Sequence, residues 1–237
     1  MADASATPEK IASGVYRVDA VRFKNTINML LLENDDGWTL VDTGVESSVG
    51  RMKGALASLG SGPEDLKRIF ITHHHDDHVG GLKGVLEWAP HAEVGATAHE
   101  AEVISGRRGL DPPSNGFMRY MSRNAEPPGV PVGKVLREGD LVSGFRIVST
   151  PGHSLGHVCL LRDSDGLLFT ADAFARLPAV GVRVGVLKAF CTDPPLAKRS
   201  AAKLLAEGFT TVMMGHGPVL RTNARAELQR AVQHCRY

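Results

Sequence analysis

The chain alternates between apolar stretches of strand length and longer stretches whose apolar residues recur every three or four positions. Residues 15–20, 28–33 and 38–42 are strand-like, and the turn formers Asn34-Asp35-Asp36-Gly37 between the last two predict a hairpin. Val49, Met52, Leu56 and Leu59 fall on one face of a helix that ends near Gly60. A short buried strand over 68–72 runs into a cluster of histidines and aspartates, followed by a helix over about 79–88. A strand over 93–97 leads to a helix over about 98–105, and strands resume over 146–150, 157–162 and 167–171. Asp193-Pro194 is an N-cap and first-turn pair for a helix through about Glu207. A last strand over 211–214 and a helix over 224–235, with Leu228, Ala231, Val232 and Cys235 on one face, close the pattern.

Residues 107–133 break this rhythm. Arg107-Arg108, Asp111-Pro112-Pro113, Asn115-Gly116 and Pro127-Pro128-Gly129 are loop-forming, whereas Phe117, Met118, Tyr120 and Met121 are apolar or aromatic. A loop of this length and composition inside a domain reads as a lid or binding loop. Strands and helices in both halves, with no linker between them, predict an α/β chain forming one domain over 1–237, a sheet-on-sheet core flanked by helices.

Composition narrows the partners rather than the fold. The 237 residues are 43% hydrophobic and 22% charged, and 27 basic against 26 acidic residues give a formal charge of +1. That balance leaves no electrostatic footprint for nucleic acid or an anionic membrane, so a small-molecule substrate is expected. The start, MADASATPEK, has no basic segment leading into an apolar run, and no stretch reaches the ~20 apolar residues that span a bilayer. Cys159, Cys191 and Cys235 lie far apart without zinc-knuckle or redox spacing, and the cytoplasm is the expected compartment.

The chemistry concentrates in Thr72-His73-His74-His75-Asp76-Asp77-His78-Val79-Gly80-Gly81. Buried imidazoles and carboxylates without partners cost several kcal/mol, so such a run between a strand and a helix is a poor core element and a good metal site. Alternate residues His73 and His75 can converge on one ion, while Asp77 and His78 turn towards a second. Gly80-Gly81 lets the backbone pass close by. Three more signals end predicted strands: His153 in Thr150-Pro151-Gly152-His153-Ser154, Asp172 in Thr170-Ala171-Asp172-Ala173, and His216 in Met214-Gly215-His216-Gly217-Pro218.

From about Gly14 to Val219 the chain resembles the metallo-β-lactamase superfamily, whose His-x-His-x-Asp-His hallmark is met by His73, His75, Asp77 and His78. The family's early strand-end aspartate matches Asp42. The resemblance implies a four-layered αββα sandwich with the metals at one edge of two sheets. It implies that His73, His75 and His153 bind the first metal, that Asp77, His78 and His216 bind the second, and that Asp172 bridges both. Two Zn2+ are the implied cofactors, with iron or manganese as alternatives. A metal-bridging hydroxide would attack an ester, thioester or lactone carbonyl, with Asp77 orienting the hydroxide as the catalytic carboxylate. Asp42 would hold a ligand imidazole in its tautomer.

His74 and Asp76 are spacers for supporting or surface roles, and His91, His99, His157 and His234 read as ordinary residues. Among relatives, Asp172 argues against dedicated antibiotic hydrolysis, and Gly217-Pro218 stand where glyoxalase II enzymes carry Glu-Tyr. Ala175 replaces the tyrosine of quorum-quenching lactonases. The alternative activity is that of a persulfide dioxygenase-like oxidoreductase with one iron on His73, His153 and Asp172. Specificity should lie in 107–133 and in the apolar segment 174–191, which either receives an acyl group or covers a second subunit in a homodimer.

Overall fold

The apolar run Met29-Leu30-Leu31-Leu32 is buried throughout and forms an interior strand of a seven-stranded sheet in the computed structural model, which describes residues 7–236. The start of the chain, from which the absence of a secretory signal is read, lies partly outside the described residues. The sheet contains β1 (Glu9–Ala12), β2 (Val15–Asp19), β3 (Asn28–Asn34), β4 (Gly37–Val41), β5 (Leu66–Phe70), β6 (Glu93–Thr97) and β7 (Lys134–Leu136), hydrogen-bonded in that order. Pairs from β1 to β4 are antiparallel, and the Asn34–Gly37 hairpin closes as its turn residues predict. Pairs β4–β5 and β5–β6 are parallel, each requiring a crossover. The first crossover carries α1 (Val49–Ser58), which buries Met52, Ala55 and Leu56. The second carries α2 (Asp76–Val79) and α3 (Leu82–Trp88). α4 (Ala98–Ile104) follows β6.

The described residues cluster into two compact units. One runs up to Ala96 and adds Glu100–Arg108 and Pro127–Leu136; the other takes Thr97–His99, Gly109–Glu126 and the chain from Arg137 onward. The first has its own core of Val18, Met29, Leu31, Leu40, Leu56, Ile69 and their neighbours. In the second, a five-stranded sheet runs in the order β14 (Thr211–Met213), β11 (Leu167–Phe169), β10 (Val158–Arg162), β9 (Phe145–Ser149) and β8 (Leu141–Val142). β12 (Phe174–Leu177) and β13 (Gly181–Val184) form a separate hairpin. α5 (Gly116–Met121), α6 (Pro194–Leu204) and α7 (Ala224–His234) complete it. Its core gathers Val148, Leu161, Leu168, Phe174, Leu204, Val212 and Leu228.

Three local departures from the sequence pattern have physical causes. The helix expected over 79–88 is two helices, because His75 ends the extended segment and opens α2 early, and Gly80-Gly81 interrupt it. A Cβ on Gly81 would stand 2.5 Å from the Thr43 carbonyl oxygen, so the chain passes too close there for any side chain. α6 has the predicted Asp193 cap, whose carboxylate accepts from Leu196 N at 2.9 Å, but its regular part stops at Leu204. The next residues tighten to three-residue bonds, such as Ala206 N to Lys203 O at 3.1 Å. The segment 107–133 contains α5, capped by Asn115, whose side chain accepts from Met118 N. This helix has no apolar face turned inward: Phe117, Tyr120 and Met121 are 69%, 60% and 60% exposed, so no burial pattern announces it.

Candidate metal centre

In the first unit the site is organised from Asp42, at the end of β4. Its φ of 59° is a left-handed backbone that aspartate adopts more readily than most residues carrying Cβ. The buried carboxylate accepts from Thr72 N–H at 2.8 Å, from the Thr72 hydroxyl at 2.8 Å and from His78 Nδ1–H at 2.8 Å. Because a carboxylate only accepts, the Thr72 proton points at Asp42, and the Thr72 oxygen accepts from His73 Nδ1–H at 3.1 Å. The network thus assigns both imidazoles to the tautomer with its lone pair on Nε2, the form that ligates a metal. Both Nε2 atoms are buried.

The His73 ring centroid lies 4.8 Å from that of His75 and 4.1 Å from that of His78. Ligand atoms of His73 and His75 lie within 4.8 Å of each other, as do those of Asp77 and His78. Thr43 N donates to the His78 carbonyl at 2.7 Å and Gly81 N to the Gly44 carbonyl at 3.0 Å, so the loop after β4 is tied to the histidine turn. The buried His74 pairs its Nδ1 with Glu100 Oε2 at 2.7 Å, which anchors the turn to α4.

In the second unit His153, Asp172 and His216 follow β9, β11 and β14. Asp172 Oδ2 lies 3.2 Å from His153 Nε2 and Oδ1 lies 3.3 Å from His216 Nε2, one carboxylate oxygen towards each imidazole. Gly152, with φ 127°, brings the loop against α6, where a Cβ would stand 2.1 Å from Ala197 N. Thr192 N then donates to the His153 carbonyl at 3.0 Å and Asp193 N to the Gly152 carbonyl at 2.9 Å. Gly152→Ala should therefore lower unfolding free energy by at least about 2 kcal/mol and lower metal affinity with it, as measured by urea unfolding and metal titration. Arg176 N donates to the His216 carbonyl at 2.9 Å and pins the β12–β13 hairpin beside that residue. Cys191 Sγ lies 3.6 Å from His153 Nδ1, and burial pushes its thiol up to about 12.

Imidazole nitrogens and carboxylate oxygens make a donor set suited to zinc-type divalent ions, and the tautomers assigned to His73 and His78 fit it. Of the other histidines, His91 and His234 are exposed as expected. His99 Nε2 meets Asp111 at 2.9 Å. His157 departs from the ordinary role read from sequence: it is buried and accepts from the backbone N–H of Asp172. Thr72, Glu100 and His157 went unrecognised among the candidates. Glu100 alone left a trace, an acid on the face of α4 that also buries Ala101, Val103 and Ile104.

A family model described as the metallo-beta-lactamase superfamily matches residues 23–216. The chain is similar to the probable metallo-hydrolase YflN of Bacillus subtilis (strain 168), at 26% identity over 240 residues covering 92% of this chain and 89% of that protein. It is similar to the acyl-coenzyme A thioesterase MBLAC2 of Gallus gallus, at 30% identity over 179 residues covering 68% of this chain and 63% of that protein. Among solved structures it resembles the metallo-beta-lactamase family protein TTHA1429 from Thermus thermophilus, with a TM-score of 0.65 and 26% identity, covering 95% of this chain and 80% of that one. The α/β fold expected from the sequence is the fold of this family.

Proposed function

From its place in the metallo-beta-lactamase superfamily, to which this chain of hydrolase type belongs, we propose that it is a two-zinc hydrolase of acyl thioesters and related esters. In this reading His73, His75 and His153 hold one ion, Asp77, His78 and His216 hold the other, and Asp172 serves both. The observation that carries it is the setting of Asp172, with one carboxylate oxygen towards His153 and the other towards His216. Support for thioesters comes from the similarity to an acyl-coenzyme A thioesterase.

When bound, the two ions would supply Lewis acidity to the carbonyl and acidify the attacking water. The protein's own residues do the rest. Asp42 and Thr72 orient the His73 and His78 rings through their Nδ1 atoms. Asp77, partly buried at the start of α2, takes the proton of the water that adds to the acyl carbon and returns it to the departing sulfur or oxygen as the carbon–sulfur or carbon–oxygen bond breaks. No helix among the described residues is long and apolar enough to cross a membrane, and a small-molecule substrate suits the near-neutral chain.

The test is a panel of acyl thioesters, aryl esters, lactones and lactams assayed before and after chelation. Hydrolysis of thioesters that chelation abolishes and zinc restores supports the reading. Oxygen consumption on persulfides by protein holding one iron would overturn it. The lid makes a separate prediction. Tyr120→Phe and Met121→Ala should leave metal content unchanged and stability within about 1 kcal/mol, because both side chains are 60% exposed. Their effect on kcat/KM should vary with the acyl group and be least for small activated esters. A uniform fall with Tyr120→Phe would instead assign the phenol to the oxyanion.

A further inference from the structure

Behind Asp172 lies a buried chain of hydrogen bonds that the proposed reaction does not use. Asp172 N–H donates to His157 Nε2 at 3.1 Å. A backbone N–H can only donate, so Nε2 accepts and the proton of the neutral ring sits on Nδ1. That nitrogen meets Thr150 Oγ1 at 2.8 Å and therefore donates to it. Thr150 Oγ1 in turn lies 3.3 Å from Cys159 Sγ, and Cys159 Sγ donates to the Thr170 carbonyl at 3.3 Å. Burial pushes the Cys159 thiol up to about 12, so it keeps the proton this direction requires. All the bonds run one way, and the chain starts and ends on the two residues that flank Ala171.

Ala171 needs such support. Its φ of 41° is left-handed for a residue with a Cβ, a conformation that persists only when its surroundings impose it. Thr170 N donates to the Met213 carbonyl, Gly215 N to the Ala171 carbonyl and Ala173 N to the Thr170 carbonyl, and to this backbone frame His157 adds a side-chain acceptor for the Asp172 N–H. The His157 ring also stands edge-on to the His153 ring, with centroids 5.7 Å apart.

We propose that His157 is a positioning residue for the metal centre, fixing through the Asp172 backbone N–H where the Asp172 carboxylate stands between His153 and His216. This rests on the metal-centre reading above. The chain assigns each member a duty: His157 supplies the acceptor, Thr150 sets its tautomer, and Cys159 ties Thr150 to the far side of the turn.

The experiment is cobalt(II) titration of the chelator-stripped full chain against a competing chelator, read by the visible absorption of bound cobalt, for wild type, His157→Phe, His157→Gln and Thr150→Val. Far-UV circular dichroism of the metal-free proteins reports folding. Glutamine retains an acceptor for the Asp172 N–H, whereas phenylalanine keeps the ring and loses it. The expected result is a loss of cobalt affinity of about 10–100-fold in His157→Phe with an altered spectrum, recovered to within about 5-fold by His157→Gln. Thr150→Val removes the acceptor that holds the tautomer and should weaken cobalt binding in the same direction. It carries the test if His157→Phe fails to fold. Wild-type affinity and spectrum in His157→Phe, equal losses in His157→Phe and His157→Gln, or wild-type binding by Thr150→Val would each overturn the proposal. Wild-type protein that binds no cobalt would overturn the metal-centre reading along with it.

Discussion

Asp172→Ala should lower kcat/KM by more than about 1,000-fold, equivalent to about 4 kcal/mol of transition-state stabilisation, and should strip most of the bound metal. The expectation follows from position. Asp172 is the carboxylate that faces the imidazoles of His153 and His216 at once, at 3.2 and 3.3 Å. Asp172→Asn is the sharper variant. It keeps the side-chain shape and the backbone N–H bond to His157, while it removes the charge and replaces one acceptor oxygen with an NH2 donor. Metal analysis and steady-state kinetics should place Asn close to Ala for metal content and activity, with the folded metal-free protein intact. Near-normal metal binding by Asp172→Asn would show that the anionic carboxylate does not hold the ions, and the assignment of Asp172 would fall.

Asp42→Asn should be the second most damaging change, although Asp42 is not among the seven proposed ligands. Asparagine tolerates the left-handed backbone at this position, so the substitution tests the carboxylate and not the φ of 59°. Three donors converge on Asp42, from Thr72 N, the Thr72 hydroxyl and His78 Nδ1. An amide has one acceptor oxygen and turns its NH2 donor towards at least one of them. In a buried site that mismatch costs about 1–3 kcal/mol, and the tautomers of His73 and His78 are no longer fixed. Metal affinity should fall by about 10–100-fold, and denaturant unfolding of the metal-free protein should show the stability loss directly. If stability drops while metal affinity is unchanged, Asp42 supports the fold and not the ligands.

How legible was this in the sequence? The histidine–aspartate turn could be read as a candidate site because its chemistry is local. His73, His75, Asp77 and His78 lie within six positions, and a tight turn from strand to helix leaves few ways to arrange them. Asp42, His153, Asp172 and His216 were each readable as polar residues at the ends of apolar strands, the place where loops carry chemistry. What supports them was not readable. The Asp42–Thr72 bonds span 30 residues and the His74–Glu100 pair 26, and such partners exist only once the sheet has set its register. His157 sat in an apolar strand and looked ordinary, because its significance lies in a backbone N–H that leaves no mark on composition. Strands β1, β7 and β8 and helix α5 escaped for a simpler reason. They are short and largely exposed, so burial imposes no periodicity on them.

The segment 174–191 shows how one apolar stretch can divide its tasks. Phe174 and Val184 are buried in the second core, whereas Val180, Leu187 and Phe190 are 47%, 50% and 38% exposed on and beyond the β12–β13 hairpin. These three are the large apolar side chains of the segment that stand exposed to meet an acyl chain or a second copy of the protein. Substitutions there should alter substrate preference or association without unfolding the unit.

The central claim is that the chain holds two metal ions on the seven proposed ligands, and metal stoichiometry of zinc-reconstituted protein tests it most directly. Plasma mass spectrometry should find close to two zinc ions per chain in wild type. His78→Ala in the first unit and His216→Ala in the second should each reduce that content, together with thioester hydrolysis. Saturation of wild type at a single ion, or full zinc content in either variant, would contradict the account.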